Sequence, residues 1–78
     1  MNYGKEVNRL INGELLKSKM ALLGYTQKSL AEEIGINTMT MTSMLNGKNL
    51  PSLNVMRKIS TTLHLTPQEI TEIFFFEK

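Results

Sequence analysis

The chain has 78 residues, 41% of them hydrophobic and 21% charged, and it contains no cysteine. This length excludes two independent cores and the composition excludes disulfides, so we expect one small soluble domain held by helix packing or by oligomerisation. Nine basic and seven acidic residues give a net charge of +2, which argues against non-specific architectural DNA binding. No apolar run reaches the roughly 20 residues that a membrane-spanning helix needs, and we place the protein in the cytoplasm with no membrane partner.

The hydrophobic pattern predicts an all-α fold of five helices, the first two of them before residue 36. Gly24 is expected to end the first helix. Thr26 is expected to cap the second helix and Gly35 to end it. The predicted inward side chains of these two helices are Leu16, Met20, Leu23, Leu30, Ala31 and Ile34.

Three further helices are predicted in the second half of the chain, with Asn37, Ser52 and Thr66 as their caps. In the fifth helix, Thr66 and Glu69 form a capping-box pattern around Pro67. The predicted inward side chains are Met41, Met44 and Leu45, then Val55, Met56, Ile59 and Leu63, then Ile70, Ile73 and Phe74. Ile36 is expected to pack into the core from the turn before the third helix.

The two ends of the chain are less regular. Residues 1–12 are interpreted as an N-terminal extension that can add a helical turn, because Asn12-Gly13 interrupts the helical pattern; residues 13–78 form the predicted domain. Near the other end, Phe74, Phe75 and Phe76 follow one another, and one helix face cannot bury all three rings. We therefore expect a dimerisation surface there, the alternative being that the rings close the core against the N-terminal segment.

The residues that catalysis needs are scarce. The chain has one histidine, no cysteine and no aspartate, so it offers neither an activated nucleophile with a base nor a ligand set for a tightly bound metal. His64 follows Leu63 at a predicted helix end and is interpreted as a C-terminal helix residue. We expect no enzyme activity, no metal, no cofactor and no small-molecule ligand.

Residues 27–46 have the residue types and spacing of a helix-turn-helix. Ala31 is small enough for a close helix approach, Gly35 permits a tight turn, and Ile36, Met41 and Met44 can hold two helices at a steep crossing. Each feature is common alone, but their joint spacing, with one helix before and two after, is fairly specific.

From about Leu15 to Phe74 the sequence resembles the Cro and repressor type of helix-turn-helix domain of phage repressors and small bacterial regulators. The matching segments are Gly24-Tyr25-Thr26-Gln27, Leu45-Asn46-Gly47-Lys48, Pro51-Ser52-Leu53, Lys58-Ile59 with Leu63, and Thr66 to Ile70. The resemblance implies a compact five-helix domain whose third helix enters the major groove of double-stranded DNA, usually as a homodimer on an inverted repeat.

Site residues follow from the resemblance, position by position. It places four side chains on the groove-facing side of the third helix as candidates for base readout: Thr38, Met39, Thr42 and Ser43. It places five residues where the family usually contacts phosphates: Gln27, Lys28, Asn46, Lys48 and Ser52. Lys17 and Lys19 can add long-range attraction, or be ordinary solvated helix charges.

Three features depart from the family pattern. Residues 26–53 hold Lys28 and Lys48 against two glutamates, so this segment has no net charge. Met20 and Leu45 stand where some members place a buried arginine and glutamate, and an apolar pair should substitute without loss of stability. His64 stands where the family often has glycine.

The function we predict is sequence-specific binding of double-stranded DNA by a transcriptional regulator, most simply a dimeric repressor that occupies an operator. The alternative is a protein-binding helix-turn-helix module, such as an antitoxin or antirepressor, which the neutral recognition segment and Met39 would favour. A steep fall of DNA affinity with salt distinguishes the first from the second.

Overall fold

The computed structural model describes residues 10–75, which form five helices and no strand. The helices are α1 (Gly13–Leu22), α2 (Gln27–Ile34), α3 (Thr38–Leu45), α4 (Leu53–Thr62) and α5 (Pro67–Phe74). The predicted all-α, five-helix fold is confirmed. None of these five helices has the length and apolar character needed to cross a membrane.

Side chains just before the helices determine where α2 to α5 begin. Asn37 and Ser52 accept hydrogen bonds from the amides of Met39 and Val55 at 2.6 and 3.2 Å. Thr26 and Thr66 each form a reciprocal capping box with the residue three positions on. The four predicted caps are therefore confirmed, and each satisfies an amide that the helix itself leaves unpaired.

One hydrophobic core receives side chains from every helix. Its buried members are Ile11, Leu16, Met20, Leu30, Ala31, Ile34, Met41, Met44, Leu45, Met56, Ile59, Leu63, Ile73 and Phe74. Ile36, Val55 and Ile70 pack against it while partly exposed. The apolar pair Met20 and Leu45 lies inside, as predicted. Leu23 was expected inside but is 49% exposed, because α1 ends at Leu22 and the chain turns there.

Residues 10–12 pack as part of the domain. Ile11 is fully buried, and Asn12 caps α1 by accepting from the amide of Leu15 at 3.1 Å. The Leu10 amide donates to the Gly47 carbonyl at 3.0 Å, and the Asn12 amide donates to the Ile73 carbonyl at 2.7 Å. Residues 10–12 of the predicted N-terminal extension are thus held by backbone bonds to Gly47, just after α3, and to Ile73, near the end of α5. Its remainder, residues 1–9, lies outside the described residues.

Gly13 is the first residue of α1 and is buried where α1 meets the end of α3. A Cβ added to Gly13 would lie 1.7 Å from the carbonyl oxygen of Leu45. Asn12-Gly13 is therefore the start of α1, and glycine is needed because the backbone of α3 passes so close.

The exits of α1 to α4 all use left-handed backbone, at three glycines and one histidine. Gly35 ends α2 with φ of 80° and provides the turn of the helix-turn-helix. His64 follows the end of α4 with φ of 54°, the only positive φ of a non-glycine residue between positions 10 and 75. The prediction that His64 lies at a helix end is confirmed, and its backbone takes a conformation that glycine adopts without cost.

Candidate nucleic-acid interface

Helix α3 divides its side chains between the core and the surface. Met41, Met44 and Leu45 are buried. Of the four side chains predicted for base readout, Thr38, Met39 and Thr42 are exposed and Ser43 is half-buried. Met39 is 77% exposed, so a large apolar side chain lies in water on this face. The exposed face of α3 is therefore polar and apolar at once, with hydroxyls that can meet hydrogen-bonding groups and a thioether that can meet a methyl group.

A side-chain hydrogen bond joins this face to the start of α2. The Thr42 hydroxyl donates to Oε1 of Gln27 at 2.8 Å, across 15 positions of sequence. Gln27 is the first residue of α2, and Lys28 beside it is exposed. The structure thus places Gln27, a predicted phosphate-contacting residue, next to Thr42, a predicted base-reading residue.

The other side of α3 borders a groove of about 480 Å³ between α3 and the loop before α4. Lys48 and Ser52 both line this groove, and Ser52 caps α4. Asn46, which ends α3, is exposed nearby in sequence. The Lys48 amide donates to the Ser43 carbonyl at 3.0 Å, which ties the loop to α3. The predicted phosphate contacts therefore flank α3 in two groups, one at the start of α2 and one at the start of α4.

Thr40 is an exposed residue of this region that the sequence did not predict as a site. It lines the same groove as Lys48 and Ser52. Residues 40 and 42 are separated by about 200° around a helix, so the two threonines look toward opposite flanks of α3. The local sequence could not assign Thr40, because its neighbours come from the loop before α4.

The charged side chains of residues 26–53 differ in their surroundings. Lys28 and Lys48 are exposed on the flanks of α3. Glu33 instead lines a separate groove with Arg57 and Lys58 of α4. Of the two glutamates in residues 26–53, Glu33 therefore shares a groove with two cations of α4 and does not line the groove of Lys48 and Ser52.

Lys19 belongs to a structural ion pair. Its ammonium donates a hydrogen bond to the Glu69 carboxylate, which also accepts from the Thr66 amide. These interactions lower the pKa of Glu69, the bond from Lys19 being the largest cause. Of the two lysines considered for long-range attraction, Lys19 therefore holds α1 to α5, whereas Lys17 is exposed.

The three consecutive phenylalanines have different positions. Phe74 is 2% exposed and lies in the core, which removes it from the surface predicted for dimerisation. Phe75 is 57% exposed and lines a groove of about 610 Å³ between α4 and α5, together with Leu53 and Ile70. Phe76 lies outside the described residues.

Within residues 10–75, histidine and glutamate side chains form no group of three or more that could hold a metal ion. The chemistry that the α3 region does offer is hydrogen bonding by hydroxyls and amides, apolar contact by Met39, and two lysine charges.

Comparison with known proteins places this arrangement in a family. The sequence profile of the Cro/C1-type HTH DNA-binding domain matches residues 15–75. The high-resolution crystal structure of the restriction-modification controller protein C.AhdI from Aeromonas hydrophila is similar, with a TM-score of 0.68 and 25% sequence identity over 87% of this chain and 98% of that chain. No curated protein matches significantly. The chain belongs to the Cro/C1-type helix-turn-helix family, a family of DNA-binding regulators rather than of enzymes, and is a DNA-binding transcriptional regulator.

Proposed function

We propose that this regulator binds an inverted-repeat operator as a homodimer and represses transcription in the cytoplasm by excluding polymerase. In this proposal the DNA-binding unit carries its motif at residues 27–46, and α3 lies in the major groove. The observation that supports the DNA-facing surface most directly is the bond between Thr42 and Gln27, which links the exposed face of α3 to the start of α2.

The roles on this surface divide by chemistry. The side chains that would face base edges are Thr38, Met39, Thr42 and Ser43. The residues that would contact phosphates are Gln27, Lys28, Asn46, Lys48 and Ser52. Phosphate contacts position the protein, whereas base contacts supply the sequence preference.

Selection on a randomised duplex library tests the operator. We expect enrichment of an inverted repeat with half-sites about one helical turn apart. A folded protein that enriches no sequence would contradict the proposal.

Variants of α3 and its flank test the roles. Met39→Ala or Thr42→Ala should weaken binding to the selected operator more than binding to random DNA, by roughly 1 to 3 kcal/mol. Lys48→Ala should weaken both alike, and the matched control Lys17→Ala, which removes the same charge from α1, should change neither by more than about 0.5 kcal/mol. Equal losses on both DNAs from the α3 variants would reject the assignment to base readout.

Dimerisation is proposed through Phe75 and Phe76. Burying the exposed part of the Phe75 ring would contribute about 1 to 2 kcal/mol per subunit. Sedimentation equilibrium should therefore show that Phe75→Ser weakens the dimer, whereas the control Leu22→Ser, at a side chain 76% exposed on α1, does not. A wild-type protein that stays monomeric on its operator would exclude this surface.

A protein-binding module is the second candidate, and the 77% exposure of Met39 on the recognition face favours it. The two functions differ in salt dependence. With Lys28 and Lys48 on phosphates in each subunit, the slope of log affinity against log salt should be about −4 for a dimer. A slope near zero, with a protein partner that competes with DNA, would favour the second candidate.

A further inference from the structure

Thr42 uses its hydroxyl proton differently from two other helical hydroxyls of this chain. Ser60 donates to the Met56 carbonyl at 2.7 Å, and Thr71 donates to the Pro67 carbonyl at 3.1 Å, each four residues back in its own helix. Thr42 donates to Gln27 of the neighbouring helix instead. Its oxygen is therefore held from outside α3, on a helix face that is exposed.

This bond changes what the hydroxyl can recognise. A threonine hydroxyl has one hydrogen to donate and two lone pairs, and when it is unengaged it can meet either a donor or an acceptor. Because the Thr42 hydroxyl already donates its hydrogen bond to Gln27 Oε1, only its lone pairs are left for a base. In the major groove the base donors are N6 of adenine and N4 of cytosine, whereas guanine and thymine present acceptors.

We propose that Gln27 is a positioning residue that fixes the Thr42 hydroxyl as an acceptor, so that Thr42 reads the exocyclic amino group of an adenine or a cytosine. The inference rests on the proposed role of Thr42 in base readout. Gln27 Nε2 donates no hydrogen bond within residues 10–75 and can meet a phosphate oxygen. Gln27 would then link a contact to the DNA phosphate backbone with the choice of base by Thr42.

The base pair read by Thr42 is identified first. Thr42→Val keeps the shape of the side chain and removes the hydroxyl, so selection with this variant should lose the preference at one base pair of each half-site. If it changes no single base pair, the role of Thr42 in the proposed function fails and this inference fails with it, while DNA binding itself stands.

Deleting one atom group of that base pair then tests the inference. The adenine is replaced by purine, which lacks the N6 amino group, or the cytosine by 2-pyrimidinone, which lacks the N4 amino group. We expect the wild-type protein to lose about tenfold in affinity and Thr42→Val to lose about twofold or less, since only the first makes the contact. Equal losses, or a wild-type loss only when the carbonyl of the paired base is deleted, would overturn the inference.

Two variants of Gln27 separate positioning from phosphate contact. Gln27→Glu keeps an acceptor for Thr42 but repels phosphate, so it should bind more weakly overall and keep the roughly tenfold loss on deletion of the amino group. Gln27→Met removes the acceptor at similar length. Its loss of affinity on deletion of the amino group should fall to about threefold or less, because the hydroxyl is then free to donate to an acceptor on the DNA instead. Lys28→Met leaves Thr42 untouched, so this variant should show the same roughly tenfold loss of affinity as wild type when the amino group is deleted. A Gln27→Met protein as sensitive to the amino group as wild type would refute the role of Gln27.

Discussion

Replacing Gly13 with alanine tests the close approach between the start of α1 and the backbone of α3. An added Cβ would lie 1.7 Å from the Leu45 carbonyl oxygen and 2.7 Å from its carbonyl carbon, against the 3.0 Å below which real Cβ contacts essentially never occur. Both atoms belong to the backbone, so no rotamer change relieves the clash. The start of α1 and the end of α3 must separate by at least about 1.3 Å, and Leu45 is 1% exposed within the core.

The magnitude follows from two opposing terms. Overpacking a core costs about 1 to 3 kcal/mol and sometimes more, and a rigid backbone partner places Gly13 at the upper end. Alanine offsets less than about 1 kcal/mol of this through helix propensity and a less flexible unfolded chain. We expect Gly13→Ala to lower the free energy of unfolding by about 3 kcal/mol, a large share of the roughly 4 to 12 kcal/mol usual for 78 residues.

Urea denaturation followed by circular dichroism at equal protein concentration measures the loss. The matched control is Gly24→Ala, where the added Cβ meets nothing within 4 Å but φ is +79°. This control should lose only about 1 kcal/mol, the cost of left-handed backbone. A Gly13→Ala protein no less stable than Gly24→Ala would refute the close approach between α1 and α3.

Three further variants test other contacts. His64→Gly should raise the free energy of unfolding by about 1 kcal/mol in urea titrations, because glycine adopts the left-handed exit of α4 without strain; a decrease would contradict this. Glu69→Gln keeps the capping box but loses the charge paired with Lys19. Since the folded pKa of Glu69 is below its ordinary value of 4.5, wild type should be the more stable above that pH and lose its advantage as pH falls through the folded pKa, whereas a constant gap would contradict the ion pair. Asn37→Ala should cost about 1 kcal/mol in thermal unfolding by freeing the Met39 amide, and no change would exclude that cap.

Much of the fold could be predicted because its signals are local. Helix periodicity and caps such as Thr26 and Thr66 involve residues three or four positions apart, and the structure has these caps as expected. Gly13 was misjudged because the reason for a glycine there lies 32 positions away at Leu45, which no local pattern contains. Leu23 has helical spacing but falls after the last turn of α1, so periodicity alone could not place it at the surface.

The candidate interface was predictable to a similar degree. The exposed side of α3 follows from periodicity and from resemblance to the family. Long-range pairings do not: Thr42 meets Gln27 across 15 positions, and Lys19 meets Glu69 across 50. Such pairings decide whether a polar side chain is available to DNA, already engaged, or limited to accepting, and they require the helices to be packed.

Residues 10–12 have a mechanical consequence for the operator. Their backbone bonds join the Gly47 carbonyl just after α3 to the Ile73 carbonyl near the end of α5, with no intervening loop. In the proposed dimer Phe75 lies two residues beyond Ile73, so residues 10–12 would help to fix each reading helix relative to the dimer surface. One extra base pair between half-sites adds about 3.4 Å and about 35° of rotation. A rigid connection between α3 and the proposed dimer surface cannot accommodate both changes. We therefore expect the proposed dimer to discriminate strictly between half-site spacings.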